Sequence, residues 1–183
     1  MTLFAHFHPH PGRDGIKIVQ EVWDHEPERH PEWDVRDVSE IPGLVPGWVE
    51  YPDGRIGPWA LPLEEAREQQ TASLRFDCTA VITDGFTSDA LGTSFAYGSN
   101  ATDQANLSHD ADDARDASKN WTASIWCADA SGAWARRSHD AKQVRQVFAD
   151  FRSMRASAQD KLARLTDQVL KASTTDIVTT IVW

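Results

Sequence analysis

The sequence predicts an α+β protein in which a small β-rich N-terminal module, residues 1–61, is followed by a mixed region, residues 62–183, with β-hairpins and one long C-terminal helix. Three observations lead to this prediction. All nine prolines lie at or before Pro62, which places a boundary near Leu61–Pro62. Before the boundary, apolar residues alternate in short runs, as in strands. After it, they recur at spacings of three and four, as in helices.

Two hairpins are expected in the N-terminal module. Ile16–Trp23 alternates like a strand, and Leu3–His8 is its expected partner across a turn that contains proline and glycine. Trp48–Tyr51 and Arg55–Gly57 flank an Asp-Gly pair, which is a strong hairpin turn signal. The module is therefore expected to be a small β meander with connections stiffened by proline.

The mixed region is expected to begin with a helix over residues 63–83, because Pro62 suits the start of a helix and apolar residues follow at helical spacing. Extended chain around a turn is expected over residues 86–97. Thr102 is the expected cap of a short helix over residues 103–117. A third hairpin is expected to pair residues 122–128 with residues 133–137.

The longest predicted element is a helix over residues 139–172, capped by Ser138. Its apolar residues between Val144 and Val169 are three and four apart, which forms a heptad-like seam. Such a helix is about 45 Å long at 1.5 Å per residue. The seam is expected either to dock along the 63–83 helix or to pack against a second copy of the chain. The segment after it, Asp176–Trp183, is expected to form a strand or a short helical turn followed by a strand.

Charge and cysteine usage exclude several classes of function. The 18 Lys and Arg residues are outnumbered by 28 Asp and Glu residues, giving a net charge of -10, which disfavours nucleic acid and anionic membrane surfaces as partners. No apolar run approaches the roughly 18 residues of a membrane span, and Met1–His10 lacks the features of a signal peptide. Cys78 and Cys127 have no zinc or redox spacing and are expected to be buried thiols.

Catalytic signatures are missing from the sequence, and no cofactor is expected. There is no glycine-rich phosphate loop, nucleophile elbow or HExxH motif, so the chain is predicted to be non-enzymatic. The candidate metal ligands are His6, His8 and His10, because alternate residues of a strand project to one side and imidazole suits iron, nickel or zinc. Pro9 and Pro11 disturb that strand, so the alternative is a solvated N-terminal strand without metal.

Tryptophan is over-used, with eight residues, and the sequence divides these rings between two roles. The N-terminal module has little apolar sequence with which to bury all of its indoles, which makes them candidate partner-binding anchors. Trp33 is the strongest of them because its neighbours are polar. Trp126 and Trp134 are expected to pair across a hairpin, and Trp183 to pack under the last helix, as core residues. The candidate anchors are Trp23, Trp33, Trp48 and Trp59.

Several segments resemble proteins of tailed bacteriophages. Residues 84–107, DGFTSDALGTSFAYGSNATDQANL, are similar to a GF-x-S-x-ALG and DQ-x-NL block of a phage tail domain. Residues 121–151 are similar to the W-C-x-D-x-x-G-x-W hairpin and long helix that follow it, and TTDIVTTIVW resembles the family's aromatic end. GLVPGWVEYPDGRIGPW resembles the N-terminal segment of tail fibre assembly proteins. The resemblance covers about residues 40–183.

This resemblance implies a non-enzymatic tail fibre assembly chaperone that binds the phage tail fibre protein. The alternative is a structural virion component of the fibre or baseplate, forming trimers or other homo-oligomers through the 144–169 helix seam. The expected location is the host cell cytoplasm during assembly, with retention in the virion tail as the second option. Within the 84–107 block, Gly85 and Gly92 are expected to have positive φ angles, and the block is either a packing unit or a fibre contact.

Overall fold

The computed structural model describes residues 2–28 and 30–183. It confirms the α+β fold, with a β-rich N-terminal region and a long C-terminal helix. The chain divides into two compact units, Met1–Leu61 and Pro62–Trp183, named here unit 1 and unit 2. Among the described residues, no helix combines the length and the apolar character needed to cross a bilayer.

Unit 1 is a five-stranded antiparallel sheet with the order β3-β1-β2-β4-β5. The two expected hairpins are present, and the pairing of β1 with β2 shifts register between His6 and Phe7, where Gln20 of β2 is left without a partner in β1. The third strand was not predicted, because Val35 is its only apolar residue and it has no alternation to detect. The strands are β1 Phe4–Pro9, β2 Lys17–Trp23, β3 Asp34–Asp37, β4 Val49–Glu50 and β5 Ile56–Gly57.

The core of unit 1 is small and lies on one side of the central strands. Phe7 and Val19, from β1 and β2, are almost completely buried, and Leu44 and Val38 from the connecting segments close over them. Ring stacks and ion pairs lie at the border of this core.

Unit 2 has a four-stranded antiparallel sheet, ordered β6-β7-β8-β9, and four helices. The predicted order of elements from residue 63 to residue 172 is confirmed. The C-terminal segment is a short helix, so the strand expected there was wrong. The elements are α1 Leu63–Thr83, β6 Phe86–Ser88, β7 Phe95–Tyr97, α2 Ala101–Asp113, β8 Thr122–Ala128, β9 Trp134–Asp140, α3 Ala141–Lys171 and α4 Thr175–Thr180.

The apolar seam of α3 is covered inside unit 2, so the intramolecular alternative is the one observed. Val147 and Phe151, in the first half of α3, are buried with Phe86, Tyr97 and other residues of the sheet. The second half runs antiparallel to α1, where the Cys78 thiol lies 3.6 Å from the Ala158 carbonyl oxygen. Self-association through this seam would require positions that the chain itself already covers.

Two helix starts differ from the predicted ones because a better cap lies nearby. Asn100 replaces Thr102 as the cap of α2, and its side chain accepts from the backbone N–H of Asp103 at 3.0 Å while Asp103 reaches back to the Asn100 N–H. Asp140 replaces Ser138 on α3, in the same reciprocal arrangement with Gln143. Such paired caps satisfy two orphan donors at once.

The 84–107 block forms part of the packing of unit 2. Gly85 has φ 119°, and a Cβ there would lie 2.8 Å from the backbone oxygen of Tyr97, so a side chain would separate β6 from β7. The expected positive φ is also confirmed at Gly92. Phe86 stacks on Tyr97 with ring centroids 5.4 Å apart, which ties the two short strands to the core.

Candidate functional site

The most prominent polar and aromatic cluster of unit 1 is centred on Trp33. Trp33 is 44% exposed, and its ring stacks on His6 with centroids 5.0 Å apart and planes at 19°. His30 approaches at 5.7 Å. The pairing of β3 with β1 permits this stack, because it sets Val35 opposite His6, and Trp33, two residues before Val35, lies on the same face of the sheet. A tryptophan that is supported by ring contacts and still 44% exposed is suited to partner contact.

A network of charged side chains begins at Asp34, the residue after Trp33. Asp34 accepts from Lys17 at 2.6 Å and from Arg36 at 2.6 Å, and Arg36 also donates to Glu50 at 2.6 Å. These bonds link β2, β3 and β4 across one side of the sheet. Hydrogen bonds from Arg36 and then Lys17 outweigh the effect of burial and lower the pKa of Asp34 from 3.8 to about 2.

A cavity of about 440 Å³ lies beside Trp33. His6, His8 and Glu32 line it together with Lys17 and other residues of β1 and β3. Both signs of charge are therefore present around one exposed indole. This matches the aromatic anchor within a polar rim that is typical of protein-binding surfaces.

A second aromatic cluster of unit 1 is centred on Trp59. This ring is 37% exposed. It stacks on His10 at 5.6 Å and on Tyr51 at 6.4 Å, while the Arg13 guanidinium lies 4.9 Å from its centroid. The stacks fix the orientation of the Trp59 ring. The side chain therefore loses little conformational entropy when a partner binds.

The other two candidate anchors are less accessible. Trp23 is half-buried at the end of β2, opposite Phe4. Trp48 is half-buried and packs against the unit 1 core. We therefore regard Trp48 as a contributor to the fold, and Trp33 and Trp59 as the indoles of unit 1 that are open to a partner.

The three candidate metal ligands are not brought to one point. The His6 and His8 rings are 6.4 Å apart at centroid level, and His6 is buried against Trp33. His10 stacks on Trp59, and its Nδ1 accepts from the Gly12 N–H at 3.2 Å. Across residues 2–28 and 30–183 there is no group of three or more His, Cys, Asp or Glu side chains placed to hold a metal ion.

In unit 2, the expected core role of two tryptophans was wrong. Trp126 is 57% exposed and Trp134 is 53% exposed. Their direct cross-strand partners are Arg136 and Ala128, so the indoles are diagonal neighbours on the outer face of the β8–β9 hairpin. Strand alternation could have predicted this exposure. Ile125 and Cys127 flank Trp126 in the sequence and face the core, so Trp126 must project from the opposite face.

Unit 2 also contains a buried hydrogen-bonded pair behind this hairpin. His139 is fully buried, and its Nδ1 lies 2.9 Å from the Arg137 carbonyl oxygen, which can only accept. Nδ1 is therefore the donor, and Nε2 accepts from the Tyr97 hydroxyl at 2.9 Å. Burial raises the pKa of Tyr97. Both groups are satisfied internally, which is typical of a structural pair. The two cysteines are free and buried, as expected.

Comparisons of the chain with protein-family models, with curated proteins and with solved structures found no match.

Proposed function

We propose that the chain is a bacteriophage tail fibre assembly protein that binds the tail fibre through the aromatic surface of unit 1. The observation that carries the proposal is the Trp33 ring, which is 44% exposed although one face is held against His6. An exposed tryptophan surrounded by polar side chains is typical of protein–protein interfaces, in which aromatic anchors lie at the centre and polar residues form the rim.

Two further features support a protein partner. The net charge of -10 disfavours nucleic acid, since duplex binding depends on Lys and Arg contacts with phosphates. The resemblance of residues 40–183 to phage tail proteins supplies the fibre as the partner. Much of the most specific block, residues 84–107, packs inside unit 2, where Phe86, Tyr97 and Leu107 are buried in one cluster. We therefore propose that unit 1, and not this block, contacts the fibre.

The alternative role, a trimeric structural component of the virion, loses its main motivation. It depended on an α3 seam available for self-association, and Val144, Val147 and Phe151 of that seam are buried within the single chain. Mass spectrometry of purified particles tests the structural role, because absence of the chain from the finished particle would exclude a virion component.

The direct experiment is co-expression with the cognate tail fibre protein. We expect the chain to increase the soluble, trimeric fraction of the fibre, and Trp33→Ala to reduce that fraction. Phe76→Ala is the matched control, because Phe76 is an aromatic side chain that is 75% exposed in unit 2. A fibre with the same solubility and trimer yield in the presence and absence of the chain would refute the proposed function.

A further inference from the structure

Unit 2 contains a groove to which the proposed function assigns no role. It has a volume of about 930 Å³, within the range of ligand-binding clefts. The groove lies between α2 and the β8–β9 hairpin, with the end of β7 closing one side. The side chains that matter most for its chemistry are Asp103, Asp110, Asp113, Trp126, Trp134 and Arg136.

One wall of the groove is a strand edge without a partner. The seven residues of β8 all pair with β9, but β7 reaches only Cys127 and Ala128 of β8. After Tyr97 the chain leaves the sheet and enters α2. Within the described part of the chain, no strand pairs with the other edge of Thr122–Trp126, and these five residues all line the groove. An open edge of this kind is a template for an added strand.

The length of the open edge suits a short extended segment. Five residues of β-strand span roughly 16 Å at about 3.3 Å per residue. A segment added here would lie beside β8 on the same edge as β7, beyond the end of β7, and would run antiparallel to β8. Arg136 already donates from Nη2 to the Ser124 carbonyl oxygen at 3.1 Å, so this side chain must release or share one acceptor when a strand is added.

The opposite wall is acidic. Asp103, Asn106, Asp110 and Asp113 of α2 follow one another at spacings of three and four, so they form one stripe along the helix, and all four line the groove. Burial raises the pKa of the Asp110 carboxyl, and repulsion from Asp113 raises it further. A cation placed between these carboxylates would relieve that repulsion.

The two indoles occupy the hairpin side of the same groove. Trp126 and Trp134 are more than half exposed, and both line it. Indole faces attract Lys and Arg side chains through cation–π contact and cover their aliphatic stems. The acidic groups on one wall outnumber Arg136, the one arginine among the described lining residues, and together with the indoles they favour a cationic ligand. The open backbone edge favours an extended polypeptide.

We propose that the groove between α2 and β8 binds an extended, Lys- or Arg-rich segment of a partner polypeptide, which pairs with the open edge of Thr122–Trp126 and places its cationic side chains against Asp110, Asp113 and Trp126. This is a second binding surface, and it does not depend on the identity of the partner of unit 1. Backbone pairing supplies affinity, and the charges and indoles supply selectivity.

The test uses the full chain and three blocked seven-residue peptides. The first alternates Lys with Val or Thr, so that it is cationic and favours an extended conformation. The second has Glu in place of every Lys. The third keeps the Lys side chains, but methyl groups on alternate backbone nitrogens prevent strand pairing. Calorimetry measures affinity, and amide chemical shifts of β8 and α2 locate the binding site.

We expect the first peptide to bind with shifts concentrated at Thr122–Trp126. The third peptide is expected to bind at least about tenfold more weakly, because it cannot pair with the edge, and the Glu peptide more weakly still. Asp110→Asn combined with Asp113→Asn is expected to reduce the affinity for the first peptide about tenfold. Asp112→Asn combined with Asp116→Asn changes the net charge equally outside the groove lining, and is expected to have much less effect.

Four results would overturn the proposal. They are no binding of the first peptide at about 1 mM, equal binding of the backbone-methylated peptide, equal loss of affinity in the two double variants, and shifts that lie outside the groove. A carbohydrate arm is included because Trp and Asp side chains also bind sugars. If chitohexaose shifts the β8 amides and the first peptide does not, the groove is a saccharide site and the peptide proposal is wrong.

Discussion

Unit 1 and unit 2 each present two exposed tryptophans, but they support these rings in different ways. In unit 1, Trp33 and Trp59 each stack on a histidine, so the half-exposed indole is part of a packed cluster. In unit 2, Trp126 and Trp134 project from the outer face of a hairpin whose inner face is packed against α3. A small β core uses aromatic stacks and ion pairs at its border, whereas a core covered by helices is complete without its outer indoles.

The largest expected effect is the loss of stability when the buried core of unit 2 is disrupted. Phe151 is 3% exposed and its ring lies 5.6 Å from that of Phe86. Phe151→Asp buries an unpaired carboxylate, so we expect the free energy of unfolding to fall by about 4 kcal/mol or more. Chemical denaturation followed by circular dichroism measures this.

The same substitution at an exposed phenylalanine provides the control. Phe76→Asp, at a position that is 75% exposed on α1, is expected to change stability by no more than about 0.5 kcal/mol. Equal stability of the Phe151→Asp protein and the unmodified chain would mean that the α3 seam faces water, and the account of unit 2 given above would have to be abandoned.

The second prediction concerns the supported indoles of unit 1. Trp33→Ala removes the exposed anchor while β1 and β3 remain paired, so we expect fibre binding to weaken by at least about 2 kcal/mol with an unchanged circular dichroism spectrum. Calorimetric titration with the cognate fibre gives the binding value, and Phe76→Ala serves again as the control. Undiminished binding would exclude Trp33 as an anchor, and loss of the folded spectrum would show that the stack on His6 is essential to unit 1.

The third prediction uses the ion pairs that border unit 1. The pKa of Asp34 is lowered to about 2 in the folded state, from 3.8. The stabilisation is therefore complete above pH 3.8 and is lost as the pH falls toward 2. We expect this loss to be about 1 kcal/mol, because the pair is partly exposed and screened by solvent. Denaturation monitored by tryptophan fluorescence between pH 5 and pH 2 measures it.

Substitution identifies the group responsible for this pH dependence. Asp34→Asn is expected to be less stable at neutral pH and to have a flatter profile toward acid. Asp14→Asn, at an exposed position before β2, is expected to retain the profile of the unmodified chain. If Asp34→Asn has the same acid limb as the unmodified chain, other carboxylates cause the loss.

The smallest expected effect is at the unsupported indoles of unit 2. Trp126→Ala is expected to change the free energy of unfolding by no more than about 0.5 kcal/mol, because the ring is 57% exposed and the opposite face of the strand provides the core contacts. Thermal denaturation of this variant beside Trp33→Ala compares the two units directly. A larger loss for Trp126→Ala than for Trp33→Ala would reverse the comparison.

Most of the secondary structure could be predicted from the sequence because its signals are local. The predicted bounds of the helix over residues 63–83 match the observed ones. Its signals are Pro62, directly before the helix, and the spacing of apolar residues within it. Helix caps were less certain, because Ser, Thr, Asn and Asp near the start of a helix compete and small differences in geometry decide among them. The strand Asp34–Asp37 was missed because a strand with one apolar residue is defined only by its partner, β1.

The candidate sites depend on contacts between distant residues, and the sequence identified them only in part. It singled out Trp33 from its polar neighbours, but the stack on His6 joins residues 27 positions apart and depends on the register of β1 with β3. The sequence also predicted that Trp126 and Trp134 are core residues, because a cross-strand aromatic pair was expected. The true register makes them diagonal, on the outer face.

The amino-acid sequence alone was enough to establish the α+β class, the proline boundary near residue 62, the approximate length of the last long helix and the acidic charge. These properties follow from composition and from periodicities of two and of three to four residues, which are local. Three features required the folded structure: the α3 seam is covered by its own chain, His10 stacks on Trp59 apart from His6, and β7 is too short to cover the edge of β8. Each of these depends on which distant surfaces meet, and burial of apolar area is non-directional, so it does not specify the partner until the whole chain is packed.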